Sequence, residues 1–208
     1  SILKDIDKVF EFFETNYQIF KYKHIITSPH YTQKALFNLI ETEIYNVKSG
    51  KPGYIKVKMN SITSYNMVDK LYEASNAGVK IQMIVRGICC LIPGIKGMSE
   101  NIEVISIVDK FLEHSRLYVF GNNDNPKVYI SSADWMTRNI ENRVEVSCPI
   151  YDENIKKELL DTFEISWNDN VKARNLNESQ NNEYRKNNKE EIRSQLAIYD
   201  YYSKKLKN

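Results

Sequence analysis

Between Tyr54 and Arg86 the hydrophobic period changes twice. "YIKVKMN" alternates strictly, with Ile55, Val57 and Met59 on one face and Lys56, Lys58 and Asn60 on the other. Residues 65–77 then repeat apolar positions at helical spacing and close at Gly78. "VKIQMIVR" is a nearly continuous apolar run that ends in Arg86 and Gly87. Strand, helix and strand in this order predict an α/β fold with at least partly parallel pairing, because a helical crossover returns the chain in the same direction.

The flanking segments extend that rhythm. Residues 3–15 read as a short helix with Leu3, Ile6, Val9, Phe10 and Phe13 on one side. "YKHIITS" reads as a strand that ends at Ser28-Pro29. Residues 32–48 form a helix with Leu36, Leu39, Ile40, Ile44 and Val47 on one stripe, stopped by "GKPG". Four short strand candidates follow: "EVISIVD", "RLYVF", "KVYISS" and "RVEVSCPI". "GNNDNPK" joins two of them as a hairpin-type turn. A helix over 152–168 carries Ile155, Leu159, Phe163 and Trp167 at fourfold spacing. Residues 172–189 are polar, Asn-rich and read as a connector, and residues 189–206 as a last helix with Ile192, Leu196, Tyr199 and Leu206 inward. Together these predict one α/β/α sandwich.

Composition narrows the function classes. The 208 residues carry a formal net charge of only +2, so broad nucleic-acid binding, which rests on many Lys and Arg contacts, is disfavoured. Any anion site must come from local clustering. Cys89, Cys90 and Cys148 are odd in number, two of them adjacent, which suits a reducing compartment better than a disulfide framework. Their spacing does not suggest structural zinc. No apolar run is long enough to cross a bilayer, and no signal peptide is visible. The start lacks Met and turns helical almost at once, which reads as a piece trimmed from a longer chain.

Three clusters stand out as candidate chemistry. Arg86 ends an apolar strand just before Gly87, where open α/β sheets bind ligands, and its guanidinium can fork onto phosphate oxygens. His114, one of three histidines, leads into "RLYVF" and can accept phosphate or move a proton. Arg116, two positions on, would share its strand face and point at the same anion. In "KVYISSADWMTRNIENRVEV" a strand opens into Ser132, Asp134, Arg138, Asn139, Arg143 and Glu145, a polar set able to hold phosphate or orient a histidine. Lys58 could line an anion channel, although a solvated face is the plainer reading of an alternating strand. His24 and His30 read as structural or surface residues.

Distantly, His114-x-Arg116 followed by Ser131-Ser132-Ala133-Asp134 resembles the phospholipase D pattern HxKxxxxD…GSxN, with Arg for Lys, Gly121 at the Asp position and SSAD for GSxN. The longer segments "VRGICCLIPGIKGMSENIEVISIVDKFLEHSRLYVF", "VYISSADWMTRNIENRVEV" and "NDNVKAR…RSQLAIYDYY" resemble the final domain of long-form bacterial polyphosphate kinases, in register from about residue 16. That resemblance implies a phospholipase D-like α/β/α sandwich with a mixed central sheet over 16–208, preceded by a helix (1–15) trailing from a missing domain. It implies transfer of the ATP terminal phosphate to polyphosphate, and back to ADP, through a phosphohistidine in that missing domain. Arg86 matches an arginine that binds ATP phosphates, and His114 a second histidine that acts as general acid or phosphate-positioning partner. Arg116, Ser132, Asp134, Arg138, Asn139, Arg143, Glu145 and Lys58 would support the same site. Magnesium is implied as cofactor with no metal ligands identifiable. The remaining domains, a homo-oligomer, and a cytoplasmic location, with peripheral attachment at the inner membrane face open, are implied too. Two other readings stand beside it: a phospholipase D-like phosphodiesterase half-site, and a non-catalytic polyanion-binding module.

Overall fold

Among the described residues eight strands form one sheet: β1 (Ile26–Ser28), β2 (Tyr54–Met59), β3 (Lys80–Val85), β4 (Ile102–Ile107), β5 (Arg116–Phe120), β6 (Lys127–Ser131), β7 (Glu145–Ile150) and β8 (Ala173–Leu176). The computed structural model describes residues 1–207. Across the sheet the order is β1-β7-β6-β5-β2-β3-β4-β8. β2–β3 and β3–β4 pair in parallel, and every other neighbouring pair is antiparallel. The sheet is therefore mixed, as expected.

Among the described residues five α-helices accompany it: α1 (Ile2–Glu14), α2 (Thr32–Lys48), α3 (Tyr65–Asn76), α4 (Glu153–Trp167) and α5 (Ser194–Lys205). α2 and α3 bury Leu36, Ile40, Met67 and Leu71 against Ile55, Val57 and Met83 on one face. α4 buries Phe163 and Trp167 against Ile84, Ile105 and Val119 on the other. Each such side chain contributes about 1.5–3 kcal/mol of transfer free energy, so the two faces together fix the sandwich. The alternation of β2 decides which residues go where. Its apolar set enters the α2/α3 core, while Lys56 and Lys58 lie under α4, paired with Glu164 and Glu113. Their face is covered rather than solvated.

Local chemistry sets the ends. Gly78, at φ 97°, turns the chain from α3 into β3, and Val79 N–H returns to the Ala74 carbonyl at 3.0 Å. Asp152 caps α4, accepting from the N–H groups of Asn154 and Ile155 at 2.9 and 3.0 Å.

Three expectations are corrected. The strand read over "YKHIITS" is only Ile26–Ser28, because Asp5 of α1 takes the N–H groups of Lys23, His24 and Ile25 and withdraws them from pairing. Residues 172–189 are not simply a connector: Ala173–Leu176 forms β8, the edge strand beside β4. The last helix begins at Ser194, not 189, and Leu196, Tyr199 and Leu206 face outward, with Ser194 buried instead. α1 is the amphipathic helix expected from the sequence; Asp5 and Val9 are its buried residues, and Leu3, Phe10 and Phe13 on its apolar side are 70%, 65% and 60% exposed. A π-helical turn, Arg138–Asn142, lies within the stretch read only as polar.

Candidate active site

The mixed pairing gathers the candidate residues at one edge. β2, β3 and β6 deliver their carboxyl ends there, and antiparallel β5 and β7 deliver their amino ends. Asn60, Arg86, Arg116, Asp134 and Glu145, far apart in sequence, consequently occupy one rim.

Asp134 is the hub. Its Oδ1 accepts the backbone N–H of Asn60 at 2.8 Å and of Ser61 at 3.3 Å. Arg116 adds Nε to Oδ1 at 3.2 Å and Nη2 to Oδ2 at 3.0 Å, a two-point fork. Asn60 Nδ2 donates to Asp134 Oδ1 at 3.2 Å, and Asn60 Oδ1 accepts from Arg86 Nε and Nη2 at 3.1 and 2.6 Å. The result is one chain of contacts, Arg86–Asn60–Asp134–Arg116. Burial pushes the Asp134 carboxyl up, but Arg116 and the N–H groups of Asn60 and Ser61 outweigh it and hold the group below the usual aspartate range.

The neighbours of Asp134 are buried or hydrogen-bonded into the fold. Trp135 is fully buried, and its carbonyl accepts the N–H groups of Thr63 and Ser64 at 3.0 and 3.1 Å. Tyr118 hydroxyl donates to the Ala133 carbonyl. Gly87 packs against Asn60, its N–H donating to the Asn60 carbonyl at 2.6 Å.

His114 is exposed on the loop before β5. It and Arg116 are not related by strand alternation, because β5 starts only at Arg116. Instead Arg116 Nη1 donates to the His114 carbonyl at 3.0 Å. Arg116 thus fixes the histidine's backbone while its charge goes to Asp134. Lys58 ion-pairs with Glu113, the residue before His114, and lies 3.4 Å from Ser166 Oγ.

Glu145 forms a second cluster, accepting from Ser132 Oγ and from Asn139 Nδ2, the latter at 2.6 Å. Arg138 and Arg143 stay exposed and meet through main-chain atoms, Arg143 N–H to Arg138 carbonyl at 2.9 Å. Arg143 and Glu145 therefore do not act as one pair. His24, half-buried, lies 3.0 Å from Tyr151 hydroxyl, and exposed His30 packs edge-on to Phe12, both away from the rim.

Beside Arg86 opens a cavity of about 610 Å³, walled in part by Ser106, Arg174, Leu176 and Tyr184. The Arg174 guanidinium lies 3.8 Å from the Tyr184 ring centroid. Sequence reading missed this wall because β8 has no apolar period to reveal it. Cys89 also lines the cavity, its thiol pushed up to about 11 by burial, so it stays protonated at neutral pH. Asn60 was missed as well. The one signal for it was its place at the carboxyl end of an alternating strand.

The family described as "Polyphosphate kinase C-terminal domain 2" matches residues 25–195. The chain belongs to the polyphosphate kinase family. A polyphosphate kinase of Vibrio parahaemolyticus is 46% identical over 201 residues, covering 96% of this chain and 29% of that protein. The chain thus spans less than a third of the length of this relative. The crystal structure of polyphosphate kinase from Porphyromonas gingivalis superposes with a TM-score of 0.93 at 42% identity, over 98% of this chain and 32% of that one. Nuc from Salmonella typhimurium, a phospholipase D family member, superposes at TM-score 0.51 and 16% identity over 74% of this chain, a likeness of fold alone. The domain is a polyphosphate kinase C-terminal domain with a phospholipase D-like fold. No helix among the described residues is long and apolar enough to cross a membrane.

Magnesium, which this family implies, does not fit the carboxylates of the rim. Asp134 is taken by Arg116, Asn60 and Ser61, Glu145 by Ser132 and Asn139, and Glu113 by Lys58. Among the described residues no three His, Cys, Asp or Glu side chains gather as ligands.

Proposed function

We propose that this domain forms one side of the active site of a polyphosphate kinase, which moves the terminal phosphate of ATP onto polyphosphate and back onto ADP. The observation that carries the reading is the rim chain Arg86–Asn60–Asp134–Arg116 with His114 beside it. Asn60 fixes the plane of the Arg86 guanidinium, which holds phosphate oxygens as a permanently charged fork. Arg116 has its charge taken by Asp134 and works as a strut for the His114 backbone. His114 places or protonates an oxygen of the transferring phosphate. The phosphate-accepting histidine belongs to the part of the longer relatives that this chain does not cover. In the first step the terminal P–O bond of ATP breaks as an N–P bond forms there, and ADP departs. In the second, a terminal oxygen of polyphosphate displaces the histidine. The rim supplies positioning and charge, which phosphoryl transfer chiefly needs.

Residues 1–15 act as a helix trailing from the preceding domain, and the exposed Leu3, Phe10 and Phe13 suit contact with it. The domain proper occupies 16–208, of which residue 208 lies outside the described residues. A homo-oligomeric, cytoplasmic parent enzyme, which can sit peripherally at the inner membrane, accords with this reading.

The test is incubation with magnesium and ATP labelled on its terminal phosphate, followed by assay for acid-labile phosphohistidine. The full-length enzyme should label and this chain should not. His114→Ala in the full-length enzyme should abolish net transfer with the fold retained. Label on this chain that vanishes in His114→Ala would make His114 the acceptor and overturn the assignment.

A further inference from the structure

The loop that carries His114 has no regular structure of its own. Residues 108–115 join β4 to β5, and Val108, Phe111 and Leu112 are all exposed. Such a segment, with few buried apolar contacts, belongs to the mobile end of a protein's stability range. Yet it is fastened from outside. Arg193 grips the Asp109 carboxylate at two points, Nε to Oδ2 at 2.8 Å and Nη2 to Oδ1 at 2.6 Å. Gln195 closes a two-way bond with the Phe111 main chain: Phe111 N–H donates to Oε1 at 2.9 Å, and Nε2 donates to the Phe111 carbonyl at 2.8 Å. A side-chain amide that mimics a strand partner fixes both the position and the rotation of that residue.

Both residues stand at the amino end of α5, and that end is itself anchored. Asp169 is fully buried. Its Oδ2 accepts the Ser194 N–H at 2.7 Å, while Oδ1 accepts the N–H groups of Val171, Lys172 and Ala173 at 3.0, 2.7 and 2.9 Å. Force therefore runs from the end of α4 and the start of β8, through Asp169, to Arg193 and Gln195, and from them into the loop.

We propose that Arg193 and Gln195 are positioning residues for the transfer reaction: from the C-terminal helix they clamp the 108–115 loop and hold His114 at the phosphate rim. The proposal rests on the role assigned to His114 under Proposed function. Neither residue touches the rim, so their effect falls on the rate of the chemical step more than on nucleotide affinity.

The experiment uses the full-length enzyme for kinetics and this chain for hydrogen exchange. Arg193→Ala and Gln195→Ala should each lower kcat by about 10- to 100-fold, the scale of a misplaced catalytic group. KM for ATP should move less than about twofold, since Arg86 is untouched. Arg193→Lys should recover part of the loss. Asp109→Ala, which removes the acceptor of the same contact with α5 unaltered, should reproduce the Arg193→Ala phenotype. Lys205→Ala removes the Glu158 contact at the far end of α5 and should leave kcat unchanged. Amides of residues 110–114 should exchange faster in the two alanine variants while those of β5 do not. Unchanged kcat in Arg193→Ala and Gln195→Ala with a faster-exchanging loop would overturn the clamp. So would an equal kcat loss in Lys205→Ala, which would mark a general softening of α5. If His114→Ala itself keeps full transfer, the reading of the rim has failed rather than the clamp, and the exchange data still report whether the loop is held.

Discussion

Asn60 and Asp134 bind each other through main chain and side chain at once, the backbone N–H at 2.8 Å and the amide Nδ2 at 3.2 Å, both on Oδ1. The pair joins the end of β2 to the segment after β6, across the intervening β5. It also decides how Arg86 and Arg116 are presented, since each guanidinium ends on one of the two residues.

Replacing Asp134 by Ala leaves the Arg116 charge and the N–H groups of Asn60 and Ser61 without their acceptor. Breaking one side of a buried pair costs about 3–5 kcal/mol. Asp134→Ala should lower unfolding free energy on that scale, read by urea denaturation, and Asp134→Asn by less, because the amide keeps one acceptor oxygen.

The carboxyls of Asp134 and Asp169 are both held below the ordinary aspartate value of 3.8, against the upward push of burial, by Arg116 and N–H groups in one case and by N–H groups from Ser194, Lys172 and Ala173 in the other. A lowered folded-state value means that the folded protein binds protons less readily than the unfolded chain. This stability is fully present above 3.8 and is lost as pH falls through the folded-state values. Denaturation midpoints should hold steady at mildly acidic pH and drop below 3.8, and Asp169→Asn should flatten the drop.

Asn60→Ala should disturb function more than fold. The lost hydrogen bonds cost about 1–3 kcal/mol of stability. With the Arg86 plane released, KM for ATP in the full-length enzyme should rise about tenfold. Equal KM values in variant and parent would remove Asn60 from the site.

At Gly87 a Cβ would stand 2.9 Å from the Asn60 carbonyl oxygen and 3.0 Å from Ser61 Oγ. Gly87→Ala must push this backbone away, and through it the Asp134 contacts. We expect a stability loss of about 1–3 kcal/mol by thermal melting and an activity loss resembling that of Asn60→Ala.

Legibility in the sequence followed burial. β2, α2 and α3 could be read closely because their apolar residues face one core, which imposes a strict period, and because glycines mark where the helices stop. Arg86, Arg116 and Asp134 were visible as charges stranded at strand ends. β8 was not, since Ala173–Leu176 is an edge strand whose pairing uses backbone groups and only one fully buried side chain, Ala173. Nor was the start of α5, which is set by Asp169, 25 residues upstream. Asn60 failed to stand out because its importance lies in two partners, 26 and 74 residues away. On α1 the period correctly marked an amphipathic helix but could not say what lies against its apolar face, since periodicity reports amphipathicity alone.

The strand order has a kinetic corollary. β5 sits between β2 and β6, so the Asn60–Asp134 contact, which joins the two halves of the rim across 74 residues, waits on a pairing between distant stretches of chain. Such pairings form late and slowly. The rim is thus a reporter of completed assembly: a phosphate-bearing ligand that needs all four residues binds only the finished sheet and adds its own binding free energy to holding that sheet closed.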